Sequence, residues 1–315
     1  MRVLVTGASG YIGRAVVRRL LDDGSRVVAL RHRTEGAWPE SVDVRRSDIL
    51  CPADLSAALR DVDAVCHLAA LTTVRQSSAA AAAVQRQIIT GGTNNLLHAM
   101  RRESRRRGTP LKLLNVSSSA VFGTAADSPL GAGIAPAPLS PYGEAKWIAE
   151  QAVTAAVASA ALGATTLRVF NVAGRTMCGR TPAPAGLIPR AVLAAETSAE
   201  LTVNGDGSAM RDFIHVRDVA EAVTKGITGT VSGVHRIHNL GAVPASVLEV
   251  IRLAEKVCGR RINVVHRAPS ALDAPYLVAD TTELRRAWDW EPRHSVLTTM
   301  LMEQRHAPAP DASPP

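Results

Sequence analysis

Aromatic side chains make up only 3% of this 315-residue chain, and tyrosine and phenylalanine occur three times each. A core here has to be packed from Ala, Val, Leu and Ile, which the 46% hydrophobic content supplies amply. Lysine is rarer than arginine: of 36 basic residues only Lys112, Lys146, Lys225 and Lys256 are lysines. The four cysteines, Cys51, Cys66, Cys178 and Cys258, show no CxxC spacing, and a chain of this length needs no disulfide staples, so reduced thiols are expected. The nine histidines lack metal-ligand spacing, and no metal is expected. No apolar run is long enough to cross a bilayer, and the chain opens on RVLVTGASG without a charged, cleavable leader, so a cytoplasmic protein is expected. The net charge of +8 comes from arginines spread along the chain, with one dense run, RRESRRRG at 101–108, where a helix is expected to end at Gly108. Cations complement a helix C-terminus, so this run implies no nucleic-acid partner, while the charge excess suits a phosphorylated small molecule.

A chain of this length suits one large α/β domain or two lobes sharing a core. Short, continuously apolar runs at 2–7, 26–31, 64–69, 111–118 and 165–171 read as buried strands, and helix-length segments lie at 11–23, 52–60, 77–107 and 142–162. That alternation predicts an α/β fold of Rossmann type, a doubly wound parallel sheet with a smaller C-terminal lobe. The expected division gives residues 1–171 and roughly 212–240 to the parallel-sheet domain, and 172–211 and 241–305 to the smaller lobe. The Pro-rich 306–315 is expected to be a disordered tail.

After the first run comes Gly7-Ala8-Ser9-Gly10-Tyr11-Ile12-Gly13, leading into a helix. Glycines there let the backbone approach a pyrophosphate, and the helix N-terminus offers free N–H groups and a partial positive charge. The second strand runs into Arg31-His32-Arg33 rather than the carboxylate that would bind a ribose 2′-hydroxyl. Arginine at that point accommodates a 2′-phosphate, which favours NADP(H), with NAD(H) the alternative.

Two of the rarest side chains, Tyr142 and Lys146, fall four residues apart in SPYGEAKW (140–147), on one face of a helix opened by Pro141. Taken with VTGASGYIG (5–13), HLAA (67–70), SSSAVFG (117–123), LRVFNVAG (167–174), NGDGSAMRDFIHVRDVAEAV (204–223) and HNLG (238–241), this stretch resembles the extended short-chain dehydrogenase/reductase family. Within it the resemblance is to the nucleotide-sugar epimerase, dehydratase and ketoreductase group. It implies Tyr142 as general acid/base, Lys146 as its electrostatic partner, and Ser118 beside Ser119 at the reacting sugar oxygen. An ammonium near a phenol favours the phenolate, which is otherwise a minor species at neutral pH. The resemblance also implies cofactor contacts from Gly7, Ser9, Gly10, Tyr11, Ile12, Gly13, Asp48, Ile49, Leu68, Ala69 and Ala70. Asn171 and Arg211 are implied at the sugar-nucleotide diphosphate, and a homodimer is implied through the helices at 84–107 and 142–162.

Departures narrow the chemistry. Ser118 is followed by Ser119-Ala120-Val121 with no carboxylate, so a dehydratase or decarboxylase is not expected. Phe122 replaces the family's tyrosine, Ile89 its asparagine, and HRAPSALDAPY (266–276) lacks a second arginine, with Arg267 a shifted candidate. The basic Arg31-His32-Arg33 points to an NADPH-dependent reductase of a nucleotide-linked 4-keto(-6-deoxy)hexose. A 4-epimerase with tightly held NAD is the alternative. A catalytically silent nucleotide-sensing module is a third reading, which the presence of both Tyr142 and Lys146 disfavours.

Overall fold

The structure is a computed structural model, and it describes residues 1–33, 38–72, 78–124, 129–159, 162–176, 186–269 and 273–305. Cys178, much of the Pro/Gly-rich stretch after Gly174 and the expected tail at 306–315 lie outside the described residues. Six strands of the first half are β1 (Arg2–Thr6), β2 (Arg26–Arg31), β3 (Asp43–Arg46), β4 (Ala64–His67), β5 (Leu111–Ser118) and β6 (Leu162–Val169). With β10 (His235–Leu240) they form one seven-stranded sheet in the order β10-β6-β5-β4-β1-β2-β3. Every pairing in it is parallel.

Continuous apolar strands need cover on both faces, and they have it. Val3 and Val5 point into one core with α1 (Tyr11–Asp22) and α7 (Val216–Gly229). Leu4 and Val28 point into the other, with α2 (Pro52–Ala58), α4 (Gly92–Arg107) and α5 (Pro141–Ala158). Each fully buried Leu such as Leu4 or Leu113 contributes about 2–3 kcal/mol. The strand order reverses between β1 and β4, and that reversal opens a crevice at the C-terminal ends of the strands.

Three expectations change. The segment expected as one helix at 77–107 is α3 (Ala79–Arg86), a π-helical turn Gln87–Gly91, and then α4. Gly92 packs on Ile49 so tightly that a Cβ would lie 2.9 Å from its Cγ1, and Thr93 Oγ donates to Ile89 O at 2.6 Å, so this turn is shaped by neighbours rather than by propensity. The run expected as a strand at 165–171 ends at Val169, and the chain crosses through Phe170 into β7 (Asn171–Ala173) of another sheet. Two strands escaped the pattern: β10, and β3, a polar DVRR edge.

That second sheet joins β7, β9 (Met210–His215), β11 (Val243–Ser246) and β13 (Tyr276–Leu277), while β8 (Glu200–Asn204) pairs with β12 (Asn263–Arg267). A third core lies among α6 (Leu187–Thr197), α8 (Val247–Cys258) and α10 (Leu297–Arg305); α9 (Thr282–Trp288) sets Leu284 into the first. Among the described residues no helix is long and apolar enough to cross a membrane.

Candidate active site

A cleft of about 1190 Å³ follows the C-terminal edge of the main sheet and continues toward the second sheet. Every residue singled out above as a site residue lines it except Arg31 and the shifted candidate Arg267. At one end the glycines do steric work. Gly7 has φ +66°, and a Cβ on it would lie 2.8 Å from Ala69 N, while a Cβ on Gly13 would run into the Gly7 carbonyl oxygen. Helix α1 starts directly on this turn, with Gly10 as a cap that adds no side chain. Tyr11 Oη donates to the Gly174 carbonyl, tying the turn to the second sheet's edge.

The opposite wall is locked by a polar chain. Thr6 Oγ accepts from the backbone N–H of Leu68 at 3.1 Å and of Ala69 at 3.2 Å and lies 2.8 Å from His67 Nδ1, leaving its own proton for that nitrogen. His67 Nε2 is 3.0 Å from Thr93 Oγ, whose proton is committed to Ile89 O, so the imidazole donates there. Burial, with the Lys146 charge nearby, brings the His67 pKa down to about 3, consistent with this neutral tautomer. The cradle and this wall fit a dinucleotide: the shape is one a single Cβ would fill, and the helix N-terminus suits a pyrophosphate.

Near the β2 end, His32 and Arg33 line the cleft, but Arg31 does not; it pairs in register with Arg46, and its carbonyl accepts from Ser47 N at 2.9 Å. The carboxylate at this end is Asp48, delivered by β3. Asp48 Oδ1 accepts from Leu50 N at 2.9 Å, and its Oδ2 lies 3.3 Å from His32 Nε2. A recess of about 490 Å³ adjoins this point, lined by His32, Arg33, Arg46, Ser47, Asp48 and Asp54.

The chemistry-bearing side chains meet in mid-cleft. Ser140 caps α5 by accepting from Gly143 N at 3.1 Å, and Pro141 takes the first helical position. Gly143 lets the helix dock on the turn at Ser119–Phe122, since a Cβ would strike the Ala120 carbonyl. Tyr142 is buried, with the Ser118 side chain beside it. Lys146 Nζ stands 6.0 Å from the Tyr142 ring centroid and donates to Val116 O at 2.8 Å. Burial pushes the Tyr142 phenol up to about 12, against the pull of the Ser118 hydroxyl, and brings the Lys146 ammonium down to about 8, against the pull of Glu150. The simple picture of an ammonium holding a phenolate is thus altered: in this chain by itself Tyr142 keeps its proton at neutral pH, because desolvation penalises both charges.

At the far end, Asn171 and Arg211 line the cleft. The Asn171 amide donates to Asp212 O at 2.9 Å. Gly186, Asp273, Ala274 and Leu277 also line it, and they went unnoticed in the sequence. Asp273, whose carboxylate accepts from Asn204 Nδ2 at 2.6 Å, lies in the very segment remarked on for its missing arginine. Arg267 is exposed on β12 and does not line the cleft. Phe122 is buried beneath the Arg168 guanidinium, 5.0 Å from its ring, and Ile89 is buried against Tyr142 and Ala145, so both departures from the family pattern alter packing behind the cleft.

A glycine-lined cleft on a parallel sheet, with Ser118, Tyr142 and Lys146 all lining it near the strand ends, is the arrangement that the resemblance to the short-chain dehydrogenase/reductase family implied. Residues 3–241 match the model of the NAD dependent epimerase/dehydratase family, and the chain belongs to that family of enzymes. It is 33% identical to UDP-glucose 4-epimerase of Azospirillum brasilense over 94% of this chain and 88% of that protein. Among solved structures it is similar to UDP-glucose 4-epimerase from Brucella ovis in complex with NAD, at 30% identity and a TM-score of 0.84 over 96% of this chain and 97% of that one. A UDP-glucuronic acid 4-epimerase from Bacillus cereus, in complex with UDP-glucuronic acid and NAD, superimposes with a TM-score of 0.86 at 25% identity over 97% and 98% of the two chains.

Proposed function

We propose that the protein is a nucleotide-diphosphohexose 4-epimerase that works with tightly held NAD. One observation carries the reading: a single cleft runs from the glycine cradle past Ser118, Tyr142 and Lys146 to Arg211 and Asp273. It offers a place for a dinucleotide and for a second, diphosphate-bearing ligand whose sugar would meet the tyrosine. The similarity to UDP-sugar epimerases that bind NAD supports the same reading.

When bound, NAD supplies a hydride acceptor and a positive charge within the cleft; the pyrophosphate would be held by Gly7, Gly10 and Gly13 with the α1 N-terminus. Tyr142 would first lose its own proton to solvent, a loss favoured by the positive charges of Lys146 and of bound NAD; as phenolate it takes the proton from the sugar 4-hydroxyl as the C4 hydride leaves, giving a 4-keto sugar, and returns it when hydride is delivered to the opposite face. Ser118 shares the oxygen and steadies the developing charge. Lys146 lowers the energy of the phenolate while the proton is away. Arg211, beside Asp273, suits the diphosphate and ribose of the nucleotide end. The reaction is redox-neutral overall, so the cofactor ends as it began.

The ketoreductase expectation rested on the basic β2 end. Its footing is weaker in the fold, where Arg31 does not line the cleft and His32 faces Asp48. One observation still favours it as a second reading: the recess with Arg33 and Arg46 beside His32 would take the 2′-phosphate of NADP(H), although Asp48 and Asp54 oppose it. Denaturing the purified protein and identifying the released nucleotide separates the two. Stoichiometric NAD, with interconversion of C4 epimers of a UDP-hexose, is the expected result. A chain that comes away empty and binds NADPH better than NADH overturns it in favour of the reductase.

A further inference from the structure

Tyr142, Lys146 and Glu150 follow one another at i, i+4 and i+8, so they share a face of α5. Glu150 is fully buried, and Arg168 of β6 meets it with a forked contact, Nε at 3.1 Å and Nη2 at 2.8 Å from Oε2. The remaining arm of Arg168 leaves the pair: Nη1 donates to Ala132 O at 3.0 Å. Ala132 lies on a segment anchored at Leu130, which forms an isolated bridge to Ala279 just after β13 and takes Asn239 Nδ2 on its carbonyl. The same segment leads to Leu139 and Ser140, which line the cleft. A charged line therefore runs from the Lys146 ammonium, through Glu150 and Arg168, to the cleft wall at the sugar end. Lys146 is faced by Tyr142 and Glu150 from its own helix and by His67, held neutral, from β4, so Glu150 is the anion beside it. Burying an ion pair this deep is a poor source of stability, because an apolar pair of similar volume does about as well.

We propose that Glu150 and Arg168 are positioning residues for the proton step: the carboxylate supplies the negative charge behind the Lys146 ammonium, and the arginine fixes the 129–139 segment against the catalytic helix. This rests on the acid/base reading of Tyr142 and Lys146 above. The pair would then set both the charge state of Lys146 and the distance between Ser118, Tyr142 and the sugar.

Four lysines make the first half directly measurable. Protein grown with 13C-lysine shows four side-chain signals, and Lys146→Met identifies the one that matters. In the double variant Glu150→Leu/Arg168→Met, which removes both members of the pair so that neither is left buried alone, Lys146 should titrate at lower pH than in the wild-type chain. Its kcat should fall roughly tenfold or more with bound nucleotide unchanged, the scale on which slight misplacement is felt. Arg168→Lys keeps the charge but loses the fork, so its Lys146 should titrate normally while kcat drops. A folded double variant with wild-type titration and kcat overturns the proposal. If the double variant is insoluble, wild-type kcat in Arg168→Lys does so alone. A wild-type chain that turns over no nucleotide sugar defeats the epimerase reading, while the Lys146 titration still decides the electrostatic half of this one.

Discussion

The two ends of the cleft are made of different material. At the end proposed for the dinucleotide the shape is backbone: Gly7 and Gly13 are there because nothing larger fits, and the Leu68–Ala69 backbone is pinned by the N–H bonds it donates to Thr6. At the end proposed for the sugar nucleotide the shape is side chains gathered from separate stretches, with Ser118 from β5, Asn171 from β7, Arg211 from β9, Asp273 before β13 and Leu277 within it. A backbone cradle tolerates no addition; a side-chain pocket tolerates no truncation. A fold of this kind can thus keep its cofactor end fixed while its substrate end is rewritten residue by residue.

Tyr142 stands where the two ends meet, and replacing it should have the largest effect. Tyr142→Phe removes the oxygen that exchanges the proton but keeps the ring packed against Ile89 and Ala145. Turnover should fall by about 10³-fold or more, the usual worth of a positioned acid/base, with nucleotide content unchanged. Substantial residual activity, with the stopped assay checked for contaminating enzyme, would remove the acid/base assignment.

Gly13→Ala tests the cradle. The added methyl meets the Gly7 carbonyl and the Ala8 backbone, so either the turn opens or α1 shifts. An overpacking cost of about 1–3 kcal/mol in the cradle corresponds to roughly ten- to hundredfold weaker nucleotide retention. Nucleotide released on denaturation is the readout, and a full complement would show that backbone shape matters less than argued.

The contrast also explains what could be read before the fold was seen. The glycine turn was legible because its rule is local, a strand, three glycines and a helix, and Tyr142 with Lys146 was legible because i, i+4 is a helical neighbour relation. What escaped depends on partners far along the chain. Strand β3 is a polar edge with no apolar alternation, yet it leads to Asp48, so a carboxylate faces His32 beside the basic side chains expected at the β2 tip. Asp273 sits 62 residues from Arg211 in sequence, and only the pairing of β13 with β9 brings the two to one cleft. The acidity of Tyr142 was misjudged for a related reason: spacing shows that an ammonium is near, whereas burial, a property of the whole fold, opposes both charges.

The third effect, no larger than that of Gly13→Ala, belongs to the side-chain end. Arg211→Ala removes one guanidinium from a wall built of several groups, leaving Asp273, Asn171 and Leu277 in place. A charge-assisted contact of this type is worth about 1.5–3 kcal/mol, so KM for a UDP-hexose should rise roughly ten- to hundredfold while kcat and bound nucleotide stay near wild type. The split is the point of the experiment. If kcat falls with KM unchanged, Arg211 acts on the reacting sugar, and the side-chain end reaches further into the chemistry than its place beside Asp273 implies; if bound NAD is lost instead, the two ends of the cleft are not separable and the contrast between them fails.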